Sequence, residues 1–224
     1  MEQRVELVTG SSAASLPAYL ELNRARLLRD LEKASAPRVV EAFAKVPRHV
    51  FVPTALLRHA YDDRALPLIS DQTISQPSMI AFMLKQLAPR PTDRALEIGA
   101  GCGYAAALLG QLTRRVDTVE IRPELAELAR VCLSRANVKN VAVHERDGSK
   151  GLEERAPYDC ILVSAGAAQV PDALMDQLAP GGRIAIPVNE GPEQVLRVGT
   201  KSYDGNGVEW IHSLPCVFVP FVNS

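Results

Sequence analysis

The sequence predicts an α/β fold: a doubly wound, mostly parallel sheet with a helical N-terminal extension and an antiparallel C-terminal edge. Three observations predict it. Strand and helix signals alternate from residue 92 onward. A glycine-rich loop closes the first strand of that series. Before residue 90, apolar residues recur at helical spacing instead. The 224 residues suit one domain, 1–224, with an extension over 1–90 and a core with terminal hairpin over 91–224.

The extension reads as helices. Pro17 opens the first, which runs through Glu32 with Leu20, Leu27, Leu28 and Leu31 near one face. Ser35 is the expected cap of a second, in which Val39, Val40 and Phe43 share a stripe. A proline-punctuated stretch follows, from Val46 to Pro53. A third helix starts at Pro77, with Ile80, Met83, Leu84 and Leu87 at helical spacing, and Pro89 and Pro91 end it.

The core reads as strands and helices in turn. Arg94 to Ile98 is a short strand, Tyr104 to Leu112 a small-residue helix, Val116 to Glu120 the next strand and Pro123 to Ala136 the next helix. Val141 to His144 is a third strand. Cys160 to Val163 is a fourth, apolar on both faces as a buried parallel strand should be. Asp172 to Leu178 is helical, and Gly181-Gly182 leads into a strand over Arg183 to Val188. Val195 to Thr200 and Val208 to Val219 flank Asp204-Gly205-Asn206-Gly207, a hairpin signal.

Composition removes several function classes. Hydrophobic residues make up 47% and charged residues 23%, the mix of a globular protein. Lys plus Arg is 25 and Asp plus Glu is 26, so a globally basic nucleic-acid or membrane binder is disfavoured. No apolar run approaches the roughly 20 residues of a membrane-spanning helix. The first residues, Met1 to Glu6, carry early charge and no apolar stretch, so a signal peptide is not expected. Cys102, Cys132, Cys160 and Cys216 are far apart, as are the four histidines. The expectation is reduced thiols, no metal and a cytoplasmic address.

The chemistry concentrates where the first strand ends, at Glu97-Ile98-Gly99-Ala100-Gly101-Cys102-Gly103-Tyr104. Alternate glycines let the chain turn sharply and let a ligand approach the backbone. The loop opens a helix, so its N–H groups face the ligand. A dinucleotide fingerprint needs glycine at 104, where this chain has Tyr104. Glu120 ends the second strand, and a carboxylate there can accept from two vicinal ribose hydroxyls. It points to a ribose without choosing the nucleoside. Asp147-Gly148 follows the third strand and reads either as an adenine contact or as an ordinary turn. On local sequence, Ser75 reads as a cap for the helix at Pro77.

The G-x-G-x-G loop, Glu120 and Asp147-Gly148 are similar to the Rossmann-like S-adenosylmethionine-dependent methyltransferases. More specifically, the chain resembles the protein-L-isoaspartate O-methyltransferases. Gln72-Thr73-Ile74-Ser75-Gln76-Pro77 carries their diagnostic Q-T-I-S-Q-P segment, and Val46 to Pro53 matches V-P-R-x-x-F-V-P. Ala60-Tyr61, Leu66-Pro67, Ala156 to Asp159, Pro180 to Arg183 and Val217 to Pro220 match further elements, so the likeness spans roughly residues 38 to 221.

That resemblance implies a repair enzyme. It would methylate the abnormal carboxyl group of L-isoaspartyl, and in some members D-aspartyl, residues in damaged proteins and flexible peptides. It implies S-adenosylmethionine bound by Gln72, Thr73, Ile74, Ser75, Glu97, Gly99, Gly101, Gly103, Glu120, Asp147 and Gly148. Ser75 would be the active-site hydroxyl, with Thr73 assisting. Three positions depart from the family pattern: Ser70-Asp71 replaces a glycine-containing lead-in, Arg146 replaces a glycine, and Ser164 to Ala167 replaces a T-A-A-A-like segment. A charge at Asp71 would oppose a carboxylate substrate if it pointed inward. The departures leave room for a relative that methylates one aspartate of a dedicated protein, or for a non-catalytic S-adenosylmethionine binder.

Overall fold

The computed structural model describes residues 15–205 and 207–222, apart from the side chains at 212 and 213. The opening Met1 to Glu6 stretch and Asn206 of the hairpin turn lie outside the described residues. Helix α1 (Leu16–Glu32) buries Leu20, Leu27 and Leu31, and α2 (Pro37–Lys45) buries Val39, Val40 and Phe43, the predicted stripes. Ser35 is not the cap of α2. Ala36 holds that position, because Pro37 sets the first helical residue one place later. The Ser35 hydroxyl donates to Ala81 O at 3.4 Å instead.

Two short 3₁₀ turns, Arg48–Phe51 and Thr54–His59, lead to a hairpin absent from the sequence reading, β1 (Leu66–Pro67) with β2 (Thr73–Ile74). Its turn puts Ser70 and Asp71 at φ 57° and 54° and closes through Gln72 N–H to Ile69 O. Such a turn favours Asn or Gly, so Ser-Asp gave a weak signal. Helix α3 (Pro77–Leu87) follows, starting at the predicted proline.

The core then alternates: β3 (Arg94–Ile98), α4 (Tyr104–Leu112), β4 (Arg115–Glu120), α5 (Pro123–Arg135), β5 (Val141–Glu145), β6 (Tyr158–Val163), α6 (Asp172–Gln177), β7 (Leu178–Glu190), β8 (Glu193–Lys201) and β9 (Val208–Cys216). The sheet order is β5-β4-β3-β6-β7-β8-β9. Strands β3 to β7 pair in parallel, and β7-β8-β9 pair antiparallel, as the hairpin signal required. Gly181 and Gly182 lie inside β7 rather than before it. Trp210 packs the sheet edge over Gly199, where an added Cβ would fall 2.8 Å from its ring.

Winding runs outward from β3 through β4 to β5, then returns to β6 on the other side. That reversal leaves a crevice at the carboxyl ends of β3 and β6, the usual ligand position in such sheets. The extension closes the crevice from outside. Ala106, Ala107, Leu108 and Leu109 of α4 are fully buried in one apolar cluster with α1, α2 and α3. Phe43 and Phe51 meet the ring of Tyr104, the first residue of α4, at centroid distances of 6.1 and 5.3 Å.

Candidate active site

The glycine loop adopts the backbone that its composition allows. Gly99, Gly101 and Gly103 sit at φ 88°, 53° and 86°, a region that side chains oppose. Gly101 N–H donates to Glu120 Oε2 at 2.9 Å, and Arg122 N–H donates to Oε1 at 3.1 Å. Glu120 is therefore locked at the end of β4, with lone pairs left for further donors.

Glu97 is a different carboxylate. It is fully buried, accepts from Thr118 Oγ1 at 2.6 Å and has Ser164 Oγ 3.4 Å away. Burial pushes its pKa up to about 8, and the neighbouring Glu120 charge adds to the rise. Cys102, in the same loop, is buried and its thiol is pushed up to about 12. It is an inert loop filler.

These groups line a cleft of about 790 Å³, its open mouth included. The cleft gathers Gln72, Thr73, Ile74 and Ser75, the loop from Glu97 to Gly101, Glu120 and Gly148. At Gly148, an added Cβ would meet Ile98 Cγ2 at 2.5 Å, so only glycine lets the wall pass that close. Two expected site residues do not reach the cleft lining. Gly103 caps α4 and faces Leu133, 3.1 Å from where a Cβ would be. Asp147 accepts from Ser149 N–H at 2.8 Å and shapes the turn that presents Gly148.

Ser75 does not cap α3. Gln76 occupies the cap position and makes no side-chain cap bond. Among the described residues, no hydrogen bond occupies the Ser75 hydroxyl. A second groove of about 1590 Å³, mouth included, adjoins the first and is walled by Thr73, Ser75, Gln76 and Met79 on one side. Glu193, Gln194 and the segment 215–219 form the other. Thr73, Ser75, Ser164 and Val219 border both cavities. Asp71 is exposed and borders neither, so its charge does not enter the site. Arg146 pairs with Glu154 at 2.9 Å, also outside both.

The sequence reading missed Ser164 and the tail. Ser164 follows β6, and the carboxyl end of a parallel strand was itself a usable signal. The last strand, expected to run to Val219, stops at Cys216, and Phe218 lines the second groove. It is held there by Gly166 N–H to Val219 O at 2.8 Å, Phe221 N–H to Gly166 O at 2.9 Å and Phe218 N–H to Gln194 Oε1 at 2.7 Å. No local pattern announces such contacts.

The Rossmann-like sheet, the glycine loop bound to an acidic strand end and the close glycine wall at 148 together form a site suited to a ribose-bearing cofactor. Residues 23–224 match the family described as Protein-L-isoaspartate(D-aspartate) O-methyltransferase (PCMT). The protein-L-isoaspartate O-methyltransferase of Roseiflexus castenholzii is 51% identical over 162 residues, covering 72% of this chain and 74% of that one. A solved protein-L-isoaspartate O-methyltransferase superposes with TM-score 0.82 at 29% identity, over 88% of this chain; this chain spans 65% of that longer one. A second, from Plasmodium falciparum and in complex with S-adenosyl-L-homocysteine, gives TM-score 0.80 at 24% identity over 90% of this chain, a likeness of fold. The chain belongs to the protein-L-isoaspartate(D-aspartate) O-methyltransferase family.

Among the described residues, no group of three or more His, Cys, Asp or Glu could hold a metal ion, and no helix is long and apolar enough to cross a membrane.

Proposed function

We propose that the chain methylates the abnormal carboxyl group of L-isoaspartyl residues in damaged proteins, with Ser75 orienting the acceptor. The observation that carries this reading is the position of Ser75: it stands where the cofactor cleft opens into a second groove, with its hydroxyl uncommitted. The first cavity suits the nucleoside cofactor and the second suits a flexible peptide.

The residues present fit S-adenosylmethionine. Gly99, Gly101 and Gly148 leave the backbone open to close approach, and Glu120 is fixed to accept from ribose hydroxyls. Gln72 and the apolar walls of Ile74, Ile80 and Leu125 enclose the remainder. When bound, the cofactor supplies a methyl group on a positively charged sulfur, which a carboxylate oxygen can take without proton transfer. An isoaspartyl carboxyl has an ordinary pKa near 4 and is already ionised at neutral pH. The site therefore needs no general base. Its work is to hold the oxygen in line and keep water out. Ser75 donates to the carboxylate, Thr73 stands beside it at the same junction, and Met79 and Phe218 supply apolar contact for the flanking peptide.

Paired peptides differing only in an isoaspartyl or aspartyl residue test the function. Methyl incorporation is expected into the isoaspartyl peptide alone. Equal labelling of both would overturn the assignment. The four cysteines are free and buried, which fits a reducing, cytoplasmic setting.

Glu97 yields a pH prediction. In the free protein it holds its proton below about pH 8. A cationic ligand alongside favours the ionised form, so binding expels that proton. Affinity for S-adenosylmethionine should then rise with pH below about 8, at a slope approaching tenfold per unit well under that value, and level off above it. Glu97→Gln should lose this component, and comparison with it cancels titration of the ligand's own amine. Calorimetry that finds the same pH slope in both proteins rules the linkage out.

A further inference from the structure

Two stretches of the extension, Val46 to Pro53 and Ala60 to Arg64, border neither cavity. We propose that Asp63, in the second of them, is a positioning residue that holds Ser75 in place from outside the site. The inference rests on Ser75 being the residue that orients the acceptor.

The argument begins at α3. This helix has no cap from its own N-terminal side chain, and its first residue is a proline without an N–H. Asp63 supplies what is missing from fifteen residues upstream. Its Oδ1 accepts from Ser78 N–H at 2.8 Å, and its Oδ2 accepts from Gln76 Nε2 at 3.2 Å. One carboxylate thus grips the chain on both sides of Pro77. Ser75 is the residue immediately before that grip, and no side-chain bond of its own fixes it. Its placement is inherited from Gln76.

Asp63 is itself held by a rigid base. Arg48 is fully buried, and its Nη2 donates to Arg64 O at 3.4 Å. Its guanidinium lies over the Tyr104 ring, 5.0 Å from the centroid. Nε and Nη1 find no hydrogen-bond partner among the described residues, so the aromatic face carries much of the stabilisation of that charge. His49 Nδ1 and Tyr61 OH, 2.8 Å apart, tie the two stretches together again. Tyr104 is where the cofactor loop becomes α4. Arg48 therefore links the acceptor segment to the donor helix through the Arg64 carbonyl, next to Asp63, on one side and Tyr104 on the other. In-line transfer is sensitive to that separation, since a shift of about 1 Å can cost on the order of a hundredfold in rate.

The test compares Asp63→Ala, Asp63→Asn, Ser75→Ala and the double variant. Its readouts are kcat and KM on an isoaspartyl peptide at saturating cofactor, calorimetric Kd for S-adenosylhomocysteine, and melting temperature. Asp63→Ala should lower kcat about tenfold, the scale of losing one cap's hold, with cofactor Kd within about twofold. Asp63→Asn keeps the Oδ1 acceptor for Ser78 and, once the Gln76 amide turns to present Oε1, donates to it instead of accepting, so it should recover most of the rate. In the Ser75→Ala background, Asp63→Ala should cost less than about twofold, because the two act through one contact. A lower melting temperature with unchanged kcat would reduce Asp63 to a structural cap and overturn the proposal. Full additivity in the double variant would overturn it too. Unchanged kcat in Ser75→Ala alone would instead overturn the role given to Ser75, a result distinct from either.

Discussion

Replacing Ser75 with Ala is expected to lower kcat by about 10- to 100-fold, while cofactor affinity stays within about twofold. The magnitude is that of one hydrogen bond to a charged group, roughly 1.5 to 3 kcal/mol. The substitution removes a single oxygen from a partly buried position that supports no other hydrogen bond among the described residues. Folding should therefore be little affected, because Gln76 and not Ser75 holds the cap position of α3. Steady-state kinetics on an isoaspartyl peptide, with a calorimetric titration of S-adenosylhomocysteine, separates the two effects. A loss of affinity with unchanged kcat would place Ser75 on the cofactor and leave the acceptor to Thr73 or Ser164. Both border the same junction.

Glu120→Ala should give the opposite pattern. Here cofactor affinity falls by roughly a hundredfold or more, since two charge-assisted hydrogen bonds to the ribose are lost. At saturating cofactor, kcat should return to within a few-fold of the parent. The substitution also frees the Gly101 and Arg122 N–H groups, which the carboxylate holds at 2.9 and 3.1 Å. A modest drop in melting temperature should accompany the loss, because both donors are part-buried and lose their acceptor, at a cost below the roughly 1 to 3 kcal/mol of a fully buried one. Glu120→Gln separates the contributions: it retains an acceptor oxygen for the loop and loses the charge. If Kd for S-adenosylhomocysteine moved less than about threefold in Glu120→Ala, Glu120 would be a tie for the glycine loop and nothing more. Together the two variants divide the site into a donor half that sets affinity and an acceptor half that sets rate.

These halves were not equally legible. The donor half is local in sequence. A strand, its glycine loop, the next helix and the acid ending the next strand follow one another within about 25 residues. The parallel sheet brings such successive strand ends together. Gly148 belongs with them for the same reason, three residues beyond the end of the third strand. Asp147 and Gly103 were legible as turn residues, but which way they face depends on packing against Ser149 and Leu133. The acceptor half is different. Ser75 stood out only through a resemblance in its segment, and its local context equally allowed a cap. The structure removes the cap role by placing Gln76 at the helix start, and the acceptor role of Ser75 is the one proposed above.

What the sequence by itself determined is the order and type of the core elements, the position of the glycine loop and the kind of ligand it admits. Those follow from periodicity, glycine backbone freedom and strand-end chemistry, all properties of short stretches. Only the tertiary structure decided that the tail from Val217 to Val222 walls the site, that Ser164 joins it and that Asp63 caps α3. Each of those is a contact between residues far apart in the chain, and such contacts leave no period or spacing to read. The protonation of Glu97 belongs with them, since its raised pKa comes from complete burial beneath Thr118 and Ser164, an environment that no neighbouring residue encodes.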